Sequence, residues 1–145
     1  VFMNGDPAGI PRALLHNLKH NRILHERVFL MTVETEEIPY VPEDHRVLLE
    51  DLGLGFYSVV ALHGFAEDPD VPKVLRNLKL SGYEYNPLQT TFFLGQRTFV
   101  IPRKPTMPRW RTHLFDRMAR NAERASAFFR IPVDRVVEVG AQFEL

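Results

Sequence analysis

Residues 14–33 read LLHNLKHNRILHERVFLMTV, and the pattern changes once, near His25. Before His25, leucines recur at spacings of three and four among His, Asn, Lys and Arg, which is typical of a helix with one buried side. After it, residues 27–33 form an apolar run that is too short for a buried helix and suits an inner strand. The stretch therefore predicts a helix that runs to about Leu24 and leads directly into a buried strand.

The residues on either side of this stretch continue the alternation of strand and helix. Residues 1–3 predict a short strand, and residues 46–50 and 56–63 predict two antiparallel strands joined by the glycine-rich turn DLGLG. Asp70 precedes a second helix as its N-cap, and Gly82 is predicted to follow the last turn of that helix.

The last third of the chain predicts a second hairpin, a long third helix and a final strand. Residues 90–94 and 98–101 are rich in β-branched and aromatic side chains and flank the turn Gly-Gln-Arg. The third helix is predicted to begin near Pro108 and to end at Pro132, and residues 135–139 alternate Val with charge as a half-exposed strand does.

The predicted element order is β-α-β-β-β-α-β-β-α-β, within one domain that spans residues 1–145. Single βα units imply parallel neighbours, whereas hairpins imply antiparallel ones, so we expect a mixed β-sheet with about three covering helices. The predicted class is therefore α/β or α+β.

Composition excludes several classes of function. The chain has 145 residues, with 18 Lys plus Arg against 18 Asp plus Glu, so no overall basic field indicates a nucleic-acid partner. It has no Cys, which excludes disulfides and thiolate metal sites. No signal-peptide pattern opens it, and no run approaches the roughly 20 apolar residues that span a bilayer. Because it starts at Val1, we expect it to be a piece of a longer protein.

The loop after the first strand, NGDPAGIP at residues 4–11, is one candidate ligand site through Asn4 and Gly5. Backbone N–H groups of a strand-to-helix loop often bind phosphate. However, the loop lacks a GxGxxG or GxxxxGK[ST] pattern, and Asp6 would repel phosphate. An ordinary βα turn is the favoured interpretation, and a ligand site is the alternative.

Asn17 and Asn21 share the side of the first helix that carries Leu14, Leu18 and Leu24. Two amides are unusual there unless a partner satisfies them. The structural interpretation is that they clamp the NGDPAGIP loop to the helix. The functional alternative is that they contact a ligand or a second subunit.

His16 and His20 are four residues apart, so both imidazoles can reach one zinc ion. The positive charges of Arg12 and Lys19 and the absence of an HExxH motif argue against zinc. We expect no metal or cofactor, and we expect both histidines to lie at the surface or to form ordinary hydrogen bonds. A zinc enzyme remains a further hypothesis.

The third helix carries an arginine-rich polar face that includes Arg117, Arg120 and Arg124. A solvated face with ion pairs along the helix is one interpretation. The other is contact with anionic lipid or an acidic partner, to which each Arg near a membrane contributes about 1 kcal/mol. No spacing of nucleophile, base and oxyanion donors predicts an enzyme, and no serine lies in a GxSxG motif.

Six segments in order resemble the cytosolic C-terminal domain of Kup-type (KUP/HAK/KT) low-affinity potassium uptake transporters. They are HNLKHNRILHERVFLMTV, EDLGLGFYSVVALHGF, EDPDVP, FFLGQRT, MPRWRTHLFDRMARNAERASAFFRIP and DRVVEVGAQFEL. Together they span nearly all of the chain. The resemblance implies a soluble part of a proton-coupled potassium importer, on the cytoplasmic side of the cell membrane.

The resemblance also implies what the domain contacts and does. Its expected partners are its own transmembrane domain, the nearby membrane surface and a second copy, and the apolar strand at residues 59–62 also favours a homodimer because its outer face needs cover. K⁺ and H⁺ are expected to pass through transmembrane helices outside this chain, which leaves assembly and regulation to the domain. The alternative is a sensor domain that binds an adenine nucleotide or a cyclic dinucleotide.

Overall fold

The structure is a computed structural model, and it describes residues 1–100 and 125–144. Six strands form one sheet: β1 Phe2–Asn4, β2 Val28–Glu36, β3 Val47–Gly53, β4 Phe56–Gly64, β5 Phe92–Val100 and β6 Val136–Glu144. The described helices are α1 Arg12–His20, α2 Val71–Arg76 and α3 Ala125–Phe128. The predicted class, a mixed sheet with three helices, is confirmed.

The strand order is β3-β4-β2-β1-β5-β6, with β3 as the one antiparallel strand. The short strand β1 therefore lies between β2 and β5 in the middle of the sheet. The connection from β1 to β2 contains α1, which packs on one face, and the connection from β4 to β5 contains α2, which packs on the other. The boundary between β1 and β5 is thus the topological switch point of the sheet.

The larger core lies on the face covered by α2, called here the α2 face. Alternate residues of the strands point to it, as the period of two requires. Its fully buried members include Met31 of β2, Val59 of β4, Phe92 of β5 and Leu75 of α2. Complete burial of a side chain of this size contributes about 1.5–3 kcal/mol, so this face supplies most of the hydrophobic stabilisation.

The smaller core lies on the opposite face, called here the α1 face. Phe2 and Phe93 stack with their ring centroids 4.3 Å apart, and Ala13, Leu14 and Val28 pack around them. Among the described residues, α1 is the only helix that contributes to this core. Its nine residues cover the middle of the face and leave the β3 side more open.

The open part of the α1 face follows from the connection between β2 and β4. That connection runs through β3, which lies in the sheet beside β4, so the described residues place no α-helix across the sheet there. Leu48 on β3 is 57% exposed, and Val60 and Leu62 beside it on β4 are half-buried. This group is called here the open face.

The predicted β3–β4 hairpin is confirmed, together with its irregular turn. Gly53, Leu54 and Gly55 all have positive φ, at 83°, 55° and 82°, and the register shifts between Asp51 and Gly53. A Cβ at Gly55 would lie 2.4 Å from the Glu26 carbonyl oxygen, so only glycine fits. Leu54 accepts a left-handed conformation that costs a non-glycine residue about 1–2 kcal/mol.

The prediction of a second hairpin is wrong. Residues 92–100 form one uninterrupted strand, β5, which pairs in parallel with β6 from Phe92 opposite Val136 to Val100 opposite Glu144. Gly95 has no positive φ, so the residues Gly-Gln-Arg extend the strand and do not turn it. The described residues therefore contain one strand fewer than predicted.

Both predicted helix ends are also revised. The first helix ends at His20, not near Leu24, because Arg22 adopts φ 55° and turns the chain away. Asp70 is the N-cap of α2 as predicted, and its carboxylate accepts a 2.8 Å hydrogen bond from the backbone N–H of Lys73. However, α2 ends at Arg76, and Gly82 lies in a later turn with φ 68°.

The predicted third helix lies largely outside the described residues. Near its predicted end, Phe129 packs against the core of the α2 face. Ile131, which follows it, is buried in the same core at 4% exposure.

An ion pair joins two loops where the parallel strands end, called here the carboxyl edge. Arg46 contacts the Glu67 carboxylate at 2.5 Å. The same carboxylate accepts hydrogen bonds from the backbone N–H groups of Val41, at 3.1 Å, and Gly64, at 2.8 Å. The Arg46 hydrogen bond, followed by the two backbone bonds, lowers the pKa of Glu67 to about 2.

The first residue enters the sheet where the parallel strands begin, called here the amino edge. The Val1 amino group donates a 2.8 Å hydrogen bond to the Thr91 carbonyl, and Phe93 donates to the Val1 carbonyl. In a chain that begins at Val1, burial lowers the pKa of this amine to about 5, because a charged ammonium is poorly solvated there.

Acetylation of Val1 tests this burial. The pKa of the free amine falls from 8.0 to about 5 on folding, so its protonation between these values opposes the folded state. Stability of the free chain should fall as pH drops from about 8 to about 5, by about 4 kcal/mol in total. The acetylated chain keeps the N–H donor without the charge, and urea denaturation should show little loss in this range. If the stability of the free and the acetylated chain changed equally with pH, the burial of the Val1 amine would be contradicted.

Glu67→Gln tests the ion pair at the carboxyl edge. The pKa of Glu67 is depressed, so its carboxylate stabilises the fold above its unfolded value of 4.5, and this contribution is lost as pH falls towards 2. The variant should be less stable at neutral pH and should lose less stability over that acidic range. Urea denaturation across the range measures both effects.

Asp68→Asn is the matched control, because Asp68 contacts Arg130 at 3.1 Å at the exposed surface. Exposed pairs contribute little, so this variant should remain close to the parent at neutral pH. Equal destabilisation by the two substitutions would show that Glu67 has no special role.

Candidate functional site

The NGDPAGIP loop lies at the carboxyl end of β1, beside the switch point, where open α/β sheets commonly bind ligands. The structure shows that this loop is held by its own side chains. The Asn4 amide donates to the carbonyls of Asp6 and Gly9, the latter at 2.7 Å. The Asp6 carboxylate accepts from the Ala8 N–H at 3.0 Å, and the Asp6 carbonyl accepts from the Gly9 N–H at 3.0 Å.

These contacts favour the ordinary βα turn over a phosphate loop. The N–H groups of Ala8 and Gly9 are already donating to Asp6, and a carboxylate occupies the position where an anion would bind. A Cβ at Gly5 would meet nothing within 4 Å, so space does not require glycine there. Ligand binding at Asn4 and Gly5 stays a prediction without a structural feature to support it.

Asn17 and Asn21 form one hydrogen-bonded unit at the end of α1. The Asn21 amide donates to the side-chain oxygen of Asn17 at 2.8 Å, and the Asn17 amide donates to the Ile23 carbonyl at 2.9 Å. Asn17 is 6% exposed. The prediction that the pair clamps the NGDPAGIP loop is wrong, because the Asn17 amide binds the segment that follows the helix and the Asn21 amide binds Asn17.

His16 and His20 lie together on the exposed surface of α1, with ring centroids 5.8 Å apart. A zinc site needs further ligands to complete its coordination. Within residues 1–100 and 125–144, no group of three or more His, Asp or Glu side chains could hold a metal ion.

A cavity of about 550 Å³ lies at the carboxyl edge. Apolar side chains such as Val33, Ala61 and Val74 form part of its lining, which also includes acidic and basic groups of its rim. The rim charges are largely paired with each other: Arg46 with Glu67 and Glu43, Lys73 with Glu43, and Arg130 with Asp68 and Asp70. The cavity therefore presents no clear excess of either charge to a ligand.

Sequence reasoning missed the residues that line this cavity. Arg46 and Glu67 are 21 positions apart, and Arg130 and Asp68 are 62 apart, so no local pattern could reveal either pair. His63 was also missed; it is 8% exposed, and its Nε2 lies 3.1 Å from the Thr35 hydroxyl on the neighbouring strand. The alternation of β4 would have placed His63 on the same face as Val59 and Ala61.

Arg117, Arg120 and Arg124 lie outside the described residues, so their predicted lipid or partner contact stays a prediction. Arg130 belongs to the same predicted arginine-rich face and lies within the described residues. The structure places it after α3 with φ 55° and pairs it with Asp68 and Asp70. Arg130 therefore pairs with carboxylates of this same domain.

No helix in the described part of the chain has the length and apolar content needed to cross a bilayer. No solved structure matches the chain.

Comparison with known sequences places the whole chain in one family. The family described as "K+ potassium transporter C-terminal domain" matches residues 1–145. The chain is 52% identical to the probable potassium transport system protein Kup 2 of Rhizorhabdus wittichii and 50% identical to the Kup protein of Myxococcus xanthus. Each match covers 100% of this chain and 22% of the relative.

A third relative, the probable potassium transport system protein Kup 1 of Paramagnetospirillum magneticum, is 52% identical over the same 145 residues. The chain spans less than a quarter of the length of these relatives, at 22–23%. The resemblance found in the sequence motifs is therefore confirmed, and the chain belongs to the family of K+ potassium transporter C-terminal domains.

Proposed function

We propose that this chain acts as the cytoplasmic C-terminal domain of a proton-coupled potassium importer and contributes to the assembly and regulation of transport. The observation that carries the proposal is the match of the complete chain to a potassium transporter C-terminal domain. The matched relatives are potassium transport proteins in which most of the polypeptide lies outside this region. Ion conduction then belongs to that remaining part.

The structure supports a role in protein contacts and not in catalysis. The two hydrophobic cores give the domain an internal scaffold of its own. The polar groups at its best candidate sites are used internally: Asn4 closes a loop, Asn17 holds the end of α1, and Glu67 joins two loops. We therefore propose a non-enzymatic domain that transmits its position or its interactions to the membrane part.

Pairing with a second copy is the proposed route of assembly. Val59 of β4 is buried in the core of the α2 face and Ala61 is buried on the same side of the strand, whereas Val60 and Leu62 point to the open face beside the exposed Leu48. An apolar patch of this kind gains stability when a second surface excludes water from it. A second copy presents the same patch and can form a symmetric interface.

Replacing the C-terminal region of a relative tests the proposed function. The region of the Myxococcus xanthus Kup protein that matches this chain would be deleted or exchanged for residues 1–145, in cells that lack other potassium uptake. Potassium uptake should fall severalfold on deletion and return with the exchange, because a related domain restores the missing contacts. Uptake of rubidium as a tracer provides the measurement.

The exchange needs a control for folding and a control for membrane insertion. The amount of each protein in the membrane must be equal by immunoblot. An exchanged domain that carries Glu67→Gln tests whether restored potassium uptake depends on the stability of the domain. Full uptake by the deleted protein, or failure of a well-inserted exchange to restore it, would contradict the proposal.

Self-association of the isolated chain is tested by sedimentation equilibrium at micromolar concentrations. The parent chain should form dimers, and Leu48→Glu should weaken them at least severalfold by placing a charge in the interface. Phe65→Glu is the matched control, since Phe65 is similarly exposed at 64% but lies outside the open face. A monomeric parent chain, or equal effects of both substitutions, would contradict pairing through this face.

A further inference from the structure

The open face lies where the described residues provide no covering helix. The helix α1 is centred on β1, since its buried residues Ala13 and Leu14 pack with Phe2. The open face is centred on β4, two strands away, where Val60 and Leu62 lie. Neighbouring strands are about 4.8 Å apart, so this centre is about 10 Å from the axis of α1 along the sheet. Packed helices have their axes about 8–10 Å apart, so a second helix fits beside α1.

The exposed leucines of α1 lie on the side of the helix that borders the open face. The connection between parallel neighbours such as β1 and β2 is right-handed, and α1 is itself a right-handed helix. Ala13, Leu14 and Asn17 are buried against the sheet. From them, the rotation of about 100° per residue turns Leu18 and then Leu15 towards β4. These leucines are 39% and 50% exposed, so a helix on the open face would meet aliphatic side chains.

The outer surface of α1 is basic. The same rotation directs Lys19 away from the sheet, with Arg12 on the same side of the helix. The helix itself contains no Asp or Glu. With its flanking segments included, residues 5–27 have four Arg or Lys against two acidic residues, so the region remains positive.

The strands that form the open face are acidic. β2, β3 and β4 contain no Lys or Arg, and Glu34, Glu36 and Glu50 are exposed on the same face of the sheet as Leu48. With the connecting segments included, residues 28–64 have seven acidic residues against one Arg, which belongs to the ion pair at the carboxyl edge. The open face of one copy therefore complements the outer surface of α1 of another copy in charge.

Exposed apolar side chains also occur in the loops at both edges of the sheet. Examples are Ile10 and Phe65 at the carboxyl edge and Leu54 and Leu88 at the amino edge. Exposure alone therefore does not identify the partner of the open face. The spacing and the charge identify it together, because a second copy supplies a helix that has both exposed leucines and a basic surface.

A basic segment elsewhere in the chain is the rival occupant of the open face. Residues 101–124, which lie outside the described residues, have seven Lys or Arg against two acidic residues. However, the connection that contains them ends on the opposite face of the sheet, where Phe129 and Ile131 pack in the core of the α2 face. This favours α1 of a second copy.

We infer that two copies pair by placing α1 of each copy on the open face of the other. The two helices then lie side by side about a two-fold axis, with Leu15 and Leu18 between them, and each helix packs between both sheets. Symmetry makes every cross-copy contact twice. The inference rests on the proposed pairing and adds the element that each copy contributes to the other.

The direction of α1 identifies the acidic partner of Lys19. The helix runs from the carboxyl edge towards the amino edge, because it connects the end of β1 to the start of β2. Lys19, in its last turn, therefore lies towards the amino edge. Glu50 pairs with Ser58 near the start of β4, whereas Glu34 and Glu36 lie near the far end of β2. A two-fold axis parallel to the strands preserves these levels and brings Lys19 next to Glu50 of the second copy.

Exchanging these two charges tests the arrangement. Lys19→Glu and Glu50→Lys should each weaken dimers of the chain at least severalfold, because each dimer then has two like-charge contacts. In an equimolar mixture, the two variants should bind each other at least severalfold more tightly than either binds itself, since both contacts of the mixed dimer join opposite charges. Sedimentation equilibrium of each variant and of the mixture, at low ionic strength to limit screening, measures these affinities.

Arg76→Glu and Glu138→Lys are the matched controls. Both residues are exposed, and they belong to α2 and β6, away from the open face and from α1. Neither substitution should change the dimer affinity, and their mixture should behave like the parent chain. Circular dichroism checks that all four variants keep the fold.

Unchanged dimers in both charge variants, or no preference for the mixed dimer, would overturn the inference. If Leu48→Glu weakens the dimer while the charge exchange has no effect, the open face pairs without α1, and only the inference is removed. A monomeric parent chain would contradict the proposed pairing and the inference together. These measurements involve no transport, so they leave the proposed role in potassium uptake to its own test.

Discussion

Both cores of this domain depend on β1, a strand of only three residues. Phe2 points to the α1 face and stacks on Phe93, whereas Val1 and Met3 point to the α2 face and pack there. Backbone pairing fixes this strand from both sides, with Phe2 opposite Leu30 on β2 and opposite Phe93 on β5. Because α1 and α2 cover opposite faces, loss of β1 would separate the two halves of the sheet and open both cores together.

The connection from β2 to β4 contains a strand where a helix is usual, and this makes the two faces of the domain different. In a doubly wound sheet, the connection between two parallel neighbours normally carries a helix that covers one face. Here β2 reaches β4 through β3, which widens the sheet and leaves the open face with Leu48 uncovered by any described helix. Gly64 makes this route possible, since a Cβ there would lie 2.1 Å from the Pro39 carbonyl oxygen of the connecting loop. The surface available for pairing therefore originates in the topology and not in a single exposed residue.

Local signals predicted those elements whose structure is decided locally. Asp70 and its cap, the hairpin around Gly53 and Gly55, and the buried strand after His25 all carry patterns within a few residues, and all three are found. The residues around Gly95 were misassigned because the strand is extended by its partner β6, more than 35 positions away. Tertiary pairing overrides a weak turn signal in such a case.

The candidate site was less accessible to sequence reasoning than the fold. Asn17 and Asn21 were recognised as unusual, but their partner, the Ile23 carbonyl, depends on where α1 ends, and that end was predicted too late. Arg46 and Glu67 meet only because β3, β4 and the loop after β4 converge at one edge.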